Sequence, residues 1–364
     1  MIKTPRLIID PEKVRGNITK MLLLCQKWGM DFRPHFKTHQ SAAIAQWFKD
    51  KGVEKCTVSS VSMAKYFAQH SWGDISIAIP VNILEIAEID ALAQEINLTL
   101  IVDHEDSCRA LYSQLNHAVD IFIEIDTAYG RSGVHYSQIE VIRSLWKMID
   151  KSSVLRFKGF LSHTGDSYMV QDKEKGAEVF ELSRQRMLHL KELFSDSSDV
   201  TISMGDTPSS TFSNDFSSID EWRPGNFVFN DMMQWAAGVC KLEEVALVVR
   251  CPVIGMYQER GEIVIYGGCI HLSKESMIVD GKKIYGWLVN KAAAGQMEES
   301  AGFPVIGLSQ EHGVVAVSQS FLSRSKIGDV LDVIPVHSCM AADLYPAYFD
   351  EDGKVFEKYR SNSL

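Results

Sequence analysis

The sequence predicts an α/β chain: a (β/α)8 barrel of the TIM type followed by a C-terminal antiparallel β domain. Three observations lead there. Eight strand-like apolar runs, nearly all with helix-like runs between them, fill the chain to about residue 230. Repeated β–α units imply a parallel sheet with right-handed crossovers, and eight of them match a barrel. No Gly-x-Gly-x-x-Gly follows the early strands, so a doubly wound dinucleotide fold has little support. Beyond Asn230 the runs shorten, separated by glycine and charged turns, and helical periodicity fades. The expected domains are residues 11–232, the barrel, and residues 1–10 with 233–364, the β domain.

Taken in order, Leu7-Ile8-Ile9 reads as a strand that precedes the barrel and crosses over to the second domain. Asp10-Pro11-Glu12 carries an N-cap, a proline at the first helical position and an early acid. Val14, Ile18, Leu22 and Cys25 then form one apolar face at spacings of three and four. The first barrel strand ends near Lys37, and the next six are expected at 55–59, 75–79, 98–102, 120–125, 155–161 and 201–204. The eighth is expected at 227–229, entered through Arg223-Pro224-Gly225-Asn226. Helices are expected at 41–49, 62–69, 83–94, 104–115, 138–149 and 173–194. The second domain should use strands at 245–254, 262–265, 271–272, 283–288, 314–317 and 330–335.

Composition narrows the class of function. At 46% hydrophobic and 23% charged the chain resembles an ordinary globular protein, and a net charge of −10 speaks against nucleic acid and gives no basic stripe for a membrane. No apolar run approaches the ~18 residues of a spanning helix. The first residues run into a strand and helix without leader-peptide architecture, and seven scattered cysteines suit a reducing, cytoplasmic setting.

Barrel enzymes place reactive groups at the carboxyl ends of their strands. Lys37 stands there, between His35 and His39. Alone it reads as a surface lysine; the sharper reading is an amine that forms a Schiff base with a carbonyl cofactor. Strand five ends in residues 124–133, where Asp126 and Arg131 are either an ion pair or, for Arg131, a contact to an anionic oxygen. Strand six ends in His163, near Tyr168, and strand seven in Gly205-Asp206-Thr207-Pro208, a phosphate-cradle candidate through close backbone approach and hydroxyls. Asp206 is an awkward neighbour for a dianion, so its carboxylate should point away. In the second domain, His337-Ser338-Cys339 on an extended chain would put imidazole and thiolate on one side, half of a metal site. Glu311-His312-Gly313 is either a second polar knot or a structural turn.

Assembled in order, these motifs resemble the D-threonine aldolase and D-serine dehydratase family, pyridoxal-phosphate enzymes of the alanine-racemase-like fold (PLP fold type III). The resemblance spans almost the whole chain: Arg-Pro-His-x-Lys-Thr-His at 33–39, residues 126–133, 163–168, 205–209, 223–226, 311–313 and His337-x-Cys339. It implies that Lys37 holds pyridoxal 5′-phosphate, that Gly205, Asp206 (through its backbone), Thr207, Gly225 and Asn226 hold the phosphate, and that Arg131, His163 and Tyr168 surround the ring. It implies that His337 and Cys339 bind a divalent metal beside the substrate's β-hydroxyl; a thiolate ligand favours zinc. The expected activity is that of a lyase on D-3-hydroxy amino acids, dehydratase rather than aldolase, in a homodimer. An amino-acid racemase and a non-catalytic PLP-binding protein are the alternatives.

Overall fold

The computed structural model describes residues 2–170, 172–194, 200–289 and 302–360. Two compact units emerge, Ile18–Gly225 with Tyr359–Leu364, and Met1–Asn17 with Asn226–Lys358. The end residues 1 and 361–364 of the expected second domain lie outside the described residues.

The first unit is the parallel barrel. Its strands are Asp31–Phe32, Lys55–Val58, Asp74–Pro80, Asn97–Val102, Val119–Asp126, Leu155–Leu161, Thr201–Met204 and Glu221–Trp222, each pairing in parallel with its neighbours. Closure depends on strand one. Glu221 and Trp222 of strand eight pair with Asp31 and Phe32, while the chain just beyond bridges His35 to Thr57 of strand two. Parallel strands cannot be joined by tight turns, so helices carry the crossovers. Ile139–Asp150 shows why such segments are helical: Ile142, Leu145 and Ile149 recur every three or four residues and are its buried positions.

Strand eight corrects the sequence reading. It lies at Glu221–Trp222, and the run expected as strand, 227–229, instead opens with the 3-10 turn Asn226–Val228. The reason is a buried charge. Glu221 is 2% exposed and accepts from Nε of Arg33, itself 0% exposed, at 2.5 Å; Arg33 Nη1 also reaches Asp74 Oδ1 at 2.6 Å. A glutamate reads as strand interior only when its partner is known, and the partner lies 188 residues away.

The second unit is a nine-stranded sheet, antiparallel except where Arg6–Ile9 meets Ala347–Phe349. Arg6–Ile9 pairs antiparallel with Leu247–Tyr257, so the chain's first strand joins this sheet as expected. The long strand Leu247–Tyr257 shifts register between Val253 and Gly255. Up to Pro252 it pairs with Arg6–Ile9 and Val330–Pro335, and from Val253 on it pairs with Glu262–Tyr266; such bulges bend a strand. Asp10 caps the following helix, Pro11–Trp28, accepting from the amides of Glu12 and Lys13 at 3.0 and 3.1 Å. Residues 271–272, expected as strand, belong to the helical turn Cys269–Leu272. Gly302–Leu308, Ala347–Phe349 and Val355–Glu357 are strands the sequence did not announce. Among the described residues no helix is long and apolar enough to cross a membrane.

Removing one partner of a buried pair leaves the other charge uncompensated. Glu221→Gln should therefore lower the urea-unfolding free energy by about 3 kcal/mol or more, and Arg33→Met combined with Glu221→Met should recover part of the loss. Equal stabilities for wild type and Glu221→Gln would contradict this placement.

Candidate active site

Residues 33–36 are held from both sides. The amides of Arg33 and His35 donate to Trp222 O and Pro224 O at 3.0 and 2.8 Å, while Phe36 N and Thr57 O, and Thr57 N and Pro34 O, pair at 2.8 and 2.9 Å. Phe36 is fully buried against Phe48, Phe67 and Trp72, with ring centroids 4.8–5.2 Å apart. Lys37 comes next and is exposed. A buried, pinned segment that ends on an exposed amine fixes where that amine's backbone starts. Lys37 N donates to His35 Nδ1 at 3.3 Å. Burial holds His35 well below the usual histidine range, reinforced by the charges of Lys37, Arg223 and Arg131.

His163, at the end of strand six, is pushed down to about 3 by burial, then by Arg131, Lys37 and Arg223. It stays neutral at working pH, a flat ring 6.1 Å from Tyr129 and 6.3 Å from Tyr168 between centroids. The ends of strands one, five, six and eight thus bring His35, Lys37, Arg131, His163 and Arg223 into one electrostatic cluster. Arg223, which the sequence reading used only to introduce strand eight, is 4% exposed beyond that strand's end. Its Nε donates to Ser203 Oγ at 2.6 Å and Nη2 to Ser162 O at 2.7 Å; burial lowers it to about 10 despite Glu221 and Glu124. Its place in the cluster was hidden by the misplaced strand.

Arg131 is not paired with Asp126. Its Nη2 lies 4.0 Å from Glu124 Oε1, and Asp126 accepts instead from the amides of Ala128 and Gly130. Glu124 is 4% exposed with Oε2 unmatched by any described hydrogen-bond partner, and burial raises its pKa.

The strand-seven turn packs closely against the chain that follows strand eight. Gly205 has φ +146°, and a Cβ there would sit 2.3 Å from Arg223 N; a Cβ at Gly225 would meet His35 O and Thr38 Oγ1 at 3.1 Å. Thr207 N donates to Tyr168 Oη at 3.3 Å. The Asp206 carboxylate is tied down, Oδ1 accepting from Ser167 Oγ and Ser209 N at 2.8 Å each. Burial raises Asp206 to about 6. Two glycines, hydroxyls and a cluster holding Lys37, Arg131 and Arg223 fit a phosphate-bearing aldehyde.

In the other unit, Asn226 and Asp231 share a hydrogen bond, Nδ2 to Oδ2, at 2.6 Å. The His337-Ser338-Cys339 segment corrects the extended-chain argument: His337 is the N-cap, with φ −128°, and Ser338–Asp343 is helix, so Cys339 sits in a first turn. The two side chains still meet. Burial works against the charged imidazole, but the hydrogen-bonded Cys339, then Asp231 and Glu275, raise His337 to about 9. Imidazole plus thiolate fits a two-ligand protein contribution to a metal; among the described residues no group of three or more such side chains is placed to hold one. Glu311-His312-Gly313 resolves as a turn into the strand His312–Ala316.

A barrel of this kind, with an exposed lysine after strand one amid cationic groups, defines a class, and comparison with known proteins agrees. Residues 9–232 match the model of the alanine racemase N-terminal domain, and residues 246–349 that of a putative serine dehydratase domain. The chain belongs to the alanine racemase N-terminal domain family. It is 27% identical over 367 residues to D-threo-3-hydroxyaspartate dehydratase of Delftia sp. (strain HT23), covering 97% of this chain and 96% of that one. The solved structure of that enzyme superposes with a TM-score of 0.90, covering 99% and 98% of the two chains at 26% identity. Another of its solved structures is described as a metal-free form. D-serine dehydratase of Dictyostelium discoideum is 27% identical over 393 residues, covering 99% of this chain and 97% of that one. D-threonine aldolase of Filomicrobium marinum shares the fold, with a TM-score of 0.83 at 21% identity, covering 98% and 94%.

Asp206 gives a pH signature. A folded-state pKa of about 6 against the ordinary carboxylate value of 3.8 means the folded chain binds the extra proton between those values. That contribution to stability is present below 3.8 and lost as pH rises through 6. Asp206→Asn, which keeps an acceptor but not the charge, should narrow the gap in urea midpoint between pH 4 and pH 7.5; an unchanged gap would count against the ionisation described.

Proposed function

We propose that the chain is a pyridoxal-phosphate-dependent lyase acting on small D-3-hydroxy amino acids, by dehydration rather than aldol cleavage. The observation that carries the reading is the exposed Lys37 on a pinned strand end, within the same electrostatic cluster as Arg131, Arg223 and neutral His163. The dehydratases that the chain resembles over nearly its whole length support the reaction type.

In this reading Lys37 would hold the cofactor covalently, Gly205, Asp206, Thr207, Gly225 and Asn226 would bind its phosphate, and Arg131, His163 and Tyr168 would surround its ring. Bound there, pyridoxal phosphate supplies an electron sink for bonds at the substrate's Cα. Lys37 Nζ would take the Cα proton. His163, neutral by burial, would pack against the ring without adding charge. Arg131, 4.0 Å from Glu124, would exchange that contact for an anionic oxygen. A divalent metal on His337 and Cys339, zinc by the preference of a thiolate, supplies Lewis-acid polarisation of a hydroxyl. The active form would be a homodimer, since a second copy over the barrel mouth would exclude water from the site. We place the protein in the reducing cytoplasm on its seven scattered cysteines.

Product analysis tests this. D-Serine or D-threonine incubated with the purified, cofactor-loaded protein should yield keto acid and ammonia, strongly reduced by chelator. Lys37→Ala should lower turnover by about 100-fold or more. Glycine plus aldehyde would move the enzyme to the aldolase branch, and the enantiomer alone would make it a racemase.

A further inference from the structure

We propose that Asp231 is a positioning residue that couples metal binding to cofactor binding; this rests on the functional reading above. Asp231 is 0% exposed, and its two oxygens are used differently. Oδ1 accepts from Gln234 N at 3.0 Å, the ordinary cap of the helix Met232–Ala236. Oδ2 faces two other segments. It accepts from Asn226 Nδ2 at 2.6 Å and from Ser338 N at 2.9 Å, and lies 3.8 Å from His337 Nδ1. Ser338 Oγ closes the triangle on Asn226 Oδ1 at 3.4 Å.

One carboxylate oxygen thus links a residue of the phosphate-binding turn to the residue between the two metal ligands. A carboxylate beside a ligating imidazole orients the ring and raises its basicity. This one is also anchored to Asn226, so a shift of that residue on taking up phosphate is carried to Ser338 N and the His337 ring. Coupling of this kind is reciprocal: if the cofactor tightens the metal, the metal tightens the cofactor by the same factor. The Oδ1 cap already accounts for local structure. The Oδ2 contacts, to residues 5 and 107 positions away in the chain, are what the coupling uses.

The test measures Zn2+ affinity of the full chain by competition with a chromogenic chelator, with and without saturating pyridoxal phosphate, the free cofactor serving as blank. In wild type the cofactor should tighten Zn2+ by about fivefold or more. Asp231→Asn should weaken Zn2+ by about 10–100-fold without cofactor and bring the ratio with and without cofactor near unity. Asp231→Ser keeps a cap for the Gln234 amide but not the second oxygen, so it should likewise weaken Zn2+ and lose the coupling; it carries the test if Asp231→Asn does not fold. A purely structural Asp231 would lower the unfolding midpoint of the ligand-free chain and leave the ratio unchanged. Wild type that binds both ligands without coupling, or variants that keep it, would overturn the inference. Wild type that binds neither would instead overturn the functional reading.

Discussion

The clamp on residues 33–36 is the constraint from which the barrel unit follows. A parallel barrel closes only if its first strand is paired on both sides, and here strand one has just two ladder residues on one side and a single bridge on the other. So little backbone pairing calls for help from side chains. Arg33 supplies it inside, pairing with Glu221 of the closing strand and Asp74 of strand three, and Phe36 supplies it outside, in an aromatic cluster with two helices' worth of rings. Lys37 follows directly. The interactions that close the barrel therefore also aim the amine, and the chemistry inherits its geometry from the fold's weakest seam.

The charge around that amine follows a related logic. His35 and His163 are kept neutral by burial among positive neighbours, while Arg223 stays cationic with Glu221 and Glu124 nearby. The balance of charge in this cluster favours anions. Ser203 links these layers: its hydroxyl donates to Glu221 Oε1 at 2.6 Å and accepts from Arg223 Nε at 2.6 Å. The closing ion pair and the cluster's buried Arg223 are thus joined through one side chain.

Much of this was legible in the sequence, for identifiable reasons. Strands such as Leu155–Leu161 and Thr201–Met204, and helices such as Ile139–Asp150, declare themselves by local period, and Asp10-Pro11 declares its helix by capping chemistry. What was missed depends on distant partners. Glu221–Trp222 is a strand because of Arg33, and a two-residue strand has no period to read. Gly302–Leu308 holds two glycines and a proline, which argue locally against a strand. His337 and Cys339 do meet, but a helix turn and not an extended chain brings them together. Arg223 and Asp231 carried no motif of their own; each matters through what folding places beside it.

The covalent role of Lys37 is the central claim, and chemical trapping tests it most directly. The purified protein is incubated with pyridoxal 5′-phosphate, reduced with borohydride, digested and mapped by mass spectrometry. The account predicts one dominant modified peptide, with the pyridoxyl group on Lys37 and loss of the visible absorbance on reduction. A label on another lysine, a label spread over many, or none at all would contradict it.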